Sequence, residues 1–169
     1  ITQSTGNEEN PGHSPESEAL DFQILHKLLI ELYPDEATRP KIIGPDPHGF
    51  HDGNSSRTTT TLEFLRDFVT NTTAMGVPMA AITHHEYIEV GEYSTVPFSG
   101  AELDATGQIA AAVNATLAPI LPPGVEIWAG EIGPHNGGTV PCGLDRPQRW
   151  TNFADSFWYM DAMASKAAH

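Results

Sequence analysis

The sequence is poor in basic residues and has no long apolar run. Only eight Lys and Arg stand against 22 Asp and Glu, which gives a formal net charge of −14. A chain of this charge repels nucleic acid and anionic membranes, and it disfavours a heavily sulfated polymer as a partner. No apolar run approaches the ~20 residues of a membrane-spanning helix. We therefore expect no nucleic-acid partner and no membrane span in this chain.

Several chemical signatures are also missing. Cys142 is the only cysteine, so an internal disulfide is excluded and cysteine pairing gives no information on the redox compartment. No basic, apolar leader is visible at the start of the chain. No glycine-rich phosphate loop opens a helix, and no elbow motif presents a Ser or Cys nucleophile. These absences weaken nucleotide binding and Ser or Cys catalysis as functions.

The pattern that is present alternates apolar strands with amphipathic helices. With 169 residues the chain has the length of one domain, and we treat 1–169 as such. The periodicity predicts strands over 41–46, 79–86 and 126–131, and helices over about 18–33, 58–70, 101–118 and 151–167. Strict alternation is typical of an α/β fold with adjacent parallel strands. A doubly wound sheet and a (β/α)₈ barrel, with its helices on one side of the sheet, both stay open.

Polar residues gather where the predicted strands end, which is where barrel enzymes place their active sites. Glu8 and Glu131 each follow a Gly or Asn at such a position. Two carboxylates across a barrel mouth suit retaining glycoside hydrolysis, in which one attacks the sugar and the other transfers protons. His84 and His85 are neighbours on a strand and face opposite sides, so they cannot easily share a metal ion. We expect no metal and no cofactor, and one of these histidines as a hydrogen-bond donor near the sugar.

Six segments in order carry a family resemblance: "GNEEN" at 6–10, "LDFQILHKLL" at 20–29, "IIGPD" at 42–46, "ITHHEYI" at 82–88, "IWAGEIG" at 127–133 and "NGGTVP" at 136–141. The chain resembles the heparanase-like enzymes of glycoside hydrolase family 79, which are retaining β-glucuronidases on a (β/α)₈ barrel. The resemblance implies that the chain runs from the end of the fourth strand to the seventh helix. We then expect it to be part of a longer enzyme and inactive by itself.

The resemblance also implies roles for individual residues. Glu8 corresponds to the general acid/base and Glu131 to the nucleophile. Asn7 corresponds to the residue that hydrogen-bonds the sugar 2-hydroxyl, and His84 to an active-site histidine. Gly137 and Gly138 match a loop that contacts the uronate. The implied substrate is a glucuronic-acid-containing polysaccharide or glycan, and the low positive charge favours one with little or no sulfation.

Two positions depart from the family pattern. Glu9 stands in place of a proline and adds a negative charge beside Glu8. Glu86 stands where the family usually has a tyrosine near the nucleophile. Residues 84 and 86 share one face of a strand, so an inward-facing Glu86 would crowd Glu131 and raise the pKa of one carboxylate.

Three sequons, at Asn54, Asn71 and Asn114, favour a secretory route and hence an extracellular or a lysosomal or vacuolar location. Two other functions stay open at this point. One is a different retaining barrel glycosidase, such as a xylosidase or a glucosylceramidase. The other is a degenerate carbohydrate-binding protein in which the carboxylate pair no longer works.

Overall fold

A computed structural model describes residues 2–3, 13–47, 49–50, 56–88, 99–134 and 154–168. The strands are β1 (Thr2–Gln3), β2 (Lys41–Pro45), β3 (Met79–Tyr87) and β4 (Glu126–Gly133). The helices are α1 (Pro15–Leu32), α2 (Ser56–Ala74), α3 (Gly100–Leu117) and α4 (Ala154–Ala167). The predicted strands and helices are all present, which confirms the α/β class.

The strands form one parallel sheet in the order β1-β2-β3-β4. Each strand pairs in parallel with the next strand in the chain, so each connecting segment must cross over the sheet and moves on by one strand in the same direction. Because such crossovers are right-handed, they place all intervening helices on one face of the sheet. The contacts agree, since each helix packs against the next in chain order, α1 on α2, α2 on α3 and α3 on α4. Within the described chain the helices therefore lie on one side of the sheet, whereas a doubly wound sheet has helices on both faces.

The first helix begins earlier than its sequence pattern predicts. The predicted start was about residue 18, but the N-cap is Ser14, whose hydroxyl accepts a hydrogen bond from the Ser17 backbone N–H at 3.1 Å. Pro15 occupies the first helical position, where its missing N–H would have had no helical partner. A Ser-Pro pair is thus a better start signal than the apolar periodicity that follows it.

The core lies between the sheet and the helix layer. Phe22 of α1 and Phe68 of α2 are fully buried and meet edge to face, with ring centroids 5.1 Å apart. Apolar residues on the outer helices remain exposed: Leu20, Ile24 and Leu28 on α1, and Phe157, Met160 and Met163 on α4. None of the helices in the described part of the chain is long and apolar enough to cross a bilayer.

Candidate functional site

The carboxyl ends of β2, β3 and β4 meet at one edge of the sheet. Asp46 follows β2, His85 and Tyr87 lie near the end of β3, and Glu131 lies near the end of β4. Parallel pairing sets His85 directly opposite Glu131. An open cleft of about 440 Å³ is lined by Asp46, His85, Glu131 and the side chain of Trp128, which is 42% exposed.

The two faces of β3 carry different chemistry. Ile82 belongs to the main core on the helix side, and His84 and Glu86 follow it on the same face at the strand's two-residue period. His84 lines a cavity with Ala110 and Val113 of α3. Residues 83, 85 and 87 point to the opposite face, and Thr83 and His85 line the cleft that contains Glu131. His84 and Glu131 are therefore separated by the sheet.

Glu131 is held by two neighbours from β3. The Tyr87 hydroxyl donates a hydrogen bond to Glu131 Oε2 at 2.6 Å, and His85 Nδ1 lies 3.6 Å from the same oxygen. The Glu131 side chain is 46% exposed, so the carboxylate also faces open space. A carboxylate fixed on one side and accessible on the other can accept a hydrogen bond from a ligand or attack an electrophilic carbon.

His85 has a second acidic neighbour on its other nitrogen. Its Nε2 lies 3.5 Å from Asp46 Oδ1, and its side chain is only 3% exposed. Gly130 leaves the room for this contact, because a Cβ at residue 130 would come within 2.6 Å of Asp46 Oδ1. The imidazole thus bridges two carboxylates that come from the strands on either side of β3.

A separate charged group lies behind β3, among the helices. Lys166 Nζ of α4 donates a hydrogen bond to Glu86 Oε2 at 2.8 Å, and the Glu86 side chain is completely buried. Burial raises the pKa of Glu86, while the Lys166 ammonium opposes that rise. Burial, with Lys166 adding to the effect, lowers the pKa of His84 to about 3, so this imidazole is neutral at physiological pH. Among the described residues, His84 Nδ1 and Glu86 Oε1 have no hydrogen-bond partner.

The structure corrects the predicted role of His84. The histidine that faces Glu131 is His85, and Glu86 is directed towards Lys166, so it does not crowd the candidate nucleophile. The tyrosine beside Glu131 is Tyr87, one position further along than expected. Extending the two-residue period from Ile82 would have found this arrangement, since an apolar residue marks the face that packs against the helices.

The remaining predicted site residues divide into two groups. One group lies outside the residues that the structure describes: Asn7, Glu8, Glu9, Asn54, Gly137 and Gly138. The other two sequon asparagines are on helices, where Asn71 of α2 is half-buried and Asn114 of α3 is exposed.

One group of described side chains could share a metal ion. His13, Glu18 and Asp21, near the start of α1, have ligand atoms within 4.8 Å of one another, and His13 and Asp21 are exposed. Glu131 and His85 are not part of this group.

Comparison of the chain with protein-family models, with curated proteins and with solved structures finds no match in any of the three. The function must therefore be argued from the chemistry of the strand ends.

Proposed function

We propose that this chain is part of a retaining glycoside hydrolase that cleaves β-glucuronide linkages in glucuronic-acid-containing glycans. The observation that supports the proposal most is the environment of Glu131. Its carboxylate lies near the carboxyl end of a parallel strand, accepts a hydrogen bond from Tyr87 and faces an open cleft. Enzymes with parallel α/β sheets build their sites at this end of the strands.

The proposed mechanism uses two carboxylates in two steps. Glu131 attacks the anomeric carbon and forms a covalent glycosyl ester while Glu8 protonates the departing glycosidic oxygen. Glu8 then takes a proton from water, which attacks the same carbon and releases Glu131. Each step inverts the anomeric centre, so the product keeps the configuration of the substrate. Tyr87 and His85 orient the Glu131 carboxylate for the attack.

The proposed architecture is a (β/α)₈ barrel, of which this chain would supply strands four to seven. In a flat sheet, the ends of β1 and β4 would be separated by three strand spacings, or roughly 14 Å. Retention requires about 5–5.5 Å between the two carboxyl groups. Closure into a barrel curls the sheet and brings residues that follow β1 towards Glu131. The exposed apolar residues of α1 and α4 support the same architecture, since each helix of a barrel is flanked by two others.

The test is the stereochemistry and mutational profile of hydrolysis by the full-length protein. We expect an aryl β-glucuronide to be hydrolysed with retention, as followed by proton NMR of the first-formed product. Glu131→Gln should abolish formation of the glycosyl-enzyme, whereas Glu63→Gln, on the exposed face of α2, should leave the rate unchanged. Glu8→Gln should spare the first step for substrates with good leaving groups, which need little protonation. Azide should rescue Glu8→Ala and give a glycosyl azide of the same configuration.

Three outcomes would contradict the proposal. Full activity in Glu131→Gln would remove the nucleophile assignment. Inversion of configuration would exclude the double displacement. Binding of glucuronate oligosaccharides without any turnover would favour the carbohydrate-binding alternative.

We also propose a secretory route for the protein, with delivery outside the cell or to a lysosomal or vacuolar compartment. The support is the set of sequons, one of which, at Asn114, lies on an exposed part of α3. Detection of glycan mass on protein from a secretory host tests this proposal.

A further inference from the structure

Asp46 has a backbone conformation that is uncommon for residues other than glycine. It follows β2 directly and has a positive φ of 56°, a region that Asp and Asn enter more readily than other residues with a side chain. Its backbone N–H donates a hydrogen bond to the Thr83 hydroxyl of β3 at 3.2 Å. Residues held in this region often have a functional reason, because the conformation itself is unfavourable. Here it directs the carboxylate across the end of the sheet towards His85.

The room for this carboxylate comes from a residue without a side chain. Gly130 lies opposite the point where the pairing of β3 and β4 shifts register, between His84 and His85. A Cβ at residue 130 would lie 2.6 Å from Asp46 Oδ1 and 3.6 Å from His85 Nε2. Only glycine at this position lets Asp46 and His85 meet without displacement.

The His85 ring then has an acidic oxygen at each nitrogen. Asp46 Oδ1 lies 3.5 Å from Nε2 and Glu131 Oε2 lies 3.6 Å from Nδ1. A neutral imidazole has only one N–H, so it can donate to only one of these carboxylates, whereas an imidazolium can donate to both. Because the ring is buried, an attraction between opposite charges is less screened there than at the surface.

We propose that Asp46 is a positioning residue that keeps His85 doubly protonated, so that a cation stays beside the Glu131 carboxylate. This inference rests on the proposed function, since Glu131 must be ionised to attack a sugar. A neighbouring cation favours the ionised form of a carboxylate. In the contacts that the structure describes, Asp46 lies against His85, and His85 lies against the Glu131 carboxylate. The effect of Asp46 on Glu131 therefore passes through the imidazole.

The titratable groups that the structure describes around His85 come from the ends of three strands. Asp46 approaches from the end of β2 and Glu131 from β4, while His84 and Tyr87 are on β3 itself. The two carboxylates favour the protonated ring, and His84 is neutral because burial lowers its pKa to about 3. Removing the charge of Asp46 should therefore lower the pH at which His85 loses its proton.

The first arm of the test measures His85 directly, by nitrogen-15 NMR of the imidazole in the full-length protein. Asp46→Asn keeps the size of the side chain and its tolerance of a positive φ, but it removes the negative charge. We expect the titration midpoint of His85 to fall by about one pH unit or more, the effect of losing an opposite charge nearby. Asp67→Asn is the matched control, because Asp67 is exposed on α2 and paired with Arg66. The His85 signals are assigned by their loss in His85→Gln, and an unchanged midpoint in Asp46→Asn overturns the inference.

The second arm measures hydrolysis of an aryl β-glucuronide across pH. We expect Asp46→Asn to lower kcat by about tenfold with little change in KM, and to lose more activity as the pH rises and His85 deprotonates. A lowered midpoint with unchanged kcat at every pH would overturn the positioning role. A wild-type protein that hydrolyses no β-glycoside would refute the proposed function, while the NMR titration would still decide whether Asp46 controls the His85 proton.

Discussion

Replacement of Lys166 by methionine should reveal the cost of an uncompensated charge behind the candidate site. In the wild type, Lys166 Nζ lies 2.8 Å from Glu86 Oε2, and the Glu86 side chain has 0% exposure. Met retains most of the apolar stem of Lys but has no ammonium group. Without that partner, Glu86 must either remain ionised in a buried environment or take up a proton, and both cost free energy.

Proton uptake sets an upper limit on the cost. An ordinary glutamate titrates near 4.5, so protonating Glu86 at pH 7 costs at most about 3.4 kcal/mol relative to the unfolded chain, at about 1.36 kcal/mol per pH unit. The wild type already bears part of this penalty, since burial raises the pKa of Glu86 even with Lys166 present. We therefore expect Lys166→Met to lower the free energy of unfolding by about 1–3 kcal/mol at pH 7.

The pH dependence gives the sign of the effect. A carboxyl group whose pKa is raised on folding binds a proton more tightly in the native state, so its contribution to stability is fully present below about pH 4.5 and declines as the pH rises towards the folded-state pKa. Loss of Lys166 moves that folded-state pKa further up and extends the decline to higher pH. At pH 5 the difference between variant and wild type should accordingly shrink to less than about 1 kcal/mol.

Urea unfolding followed by tryptophan fluorescence, at pH 5 and pH 7, measures both values. Lys27→Met is the matched control, because Lys27 is an exposed lysine on α1 that donates a hydrogen bond to Gln23 of the same helix. The double variant Glu86→Gln, Lys166→Met should recover most of the loss at pH 7, since no charge is then left buried. A Lys166→Met protein as stable as the wild type at pH 7, or equally destabilised at both pH values, would refute this reasoning.

Three further outcomes follow from the same contacts. Tyr87→Phe removes a hydrogen bond to a charged acceptor, worth about 1.5–3 kcal/mol, and should lower kcat on aryl β-glucuronides by roughly 10- to 100-fold; unchanged kcat would show that the hydroxyl does not orient Glu131. Gly130→Ala introduces a Cβ within 2.6 Å of Asp46 Oδ1, so we expect the His85 midpoint in NMR titration to fall as in Asp46→Asn, and an unaltered midpoint would contradict the close approach. Asn114→Gln should remove one glycan from protein made in a secretory host, as measured by intact mass, because Asn114 is exposed; equal masses would show that this sequon is not used.

The order of elements and the class of the fold could be predicted from the sequence alone. Each of β2, β3 and β4 contains a short apolar run with Gly or Pro at or near its ends, and each helix has apolar residues at helical spacing, so both signals are local. Parallel pairing also followed, because strands joined through helices have few other arrangements. The start of α1 was misplaced, since the Ser14-Pro15 signal precedes the apolar pattern by several residues.

The faces of the strands were decided only by the tertiary structure. The sequence placed two histidines, a glutamate and a tyrosine at the end of β3, but a shift of one residue exchanges the two sides of a strand. Packing of Ile82 against the helices placed Glu86 with Lys166, and it left His85 and Tyr87 with Glu131. Likewise, no local pattern indicates that Asp46 and His85 meet across Gly130, because that contact joins residues from three different strand ends. Local sequence therefore determined which elements form, whereas long-range packing determined which side chains share a site.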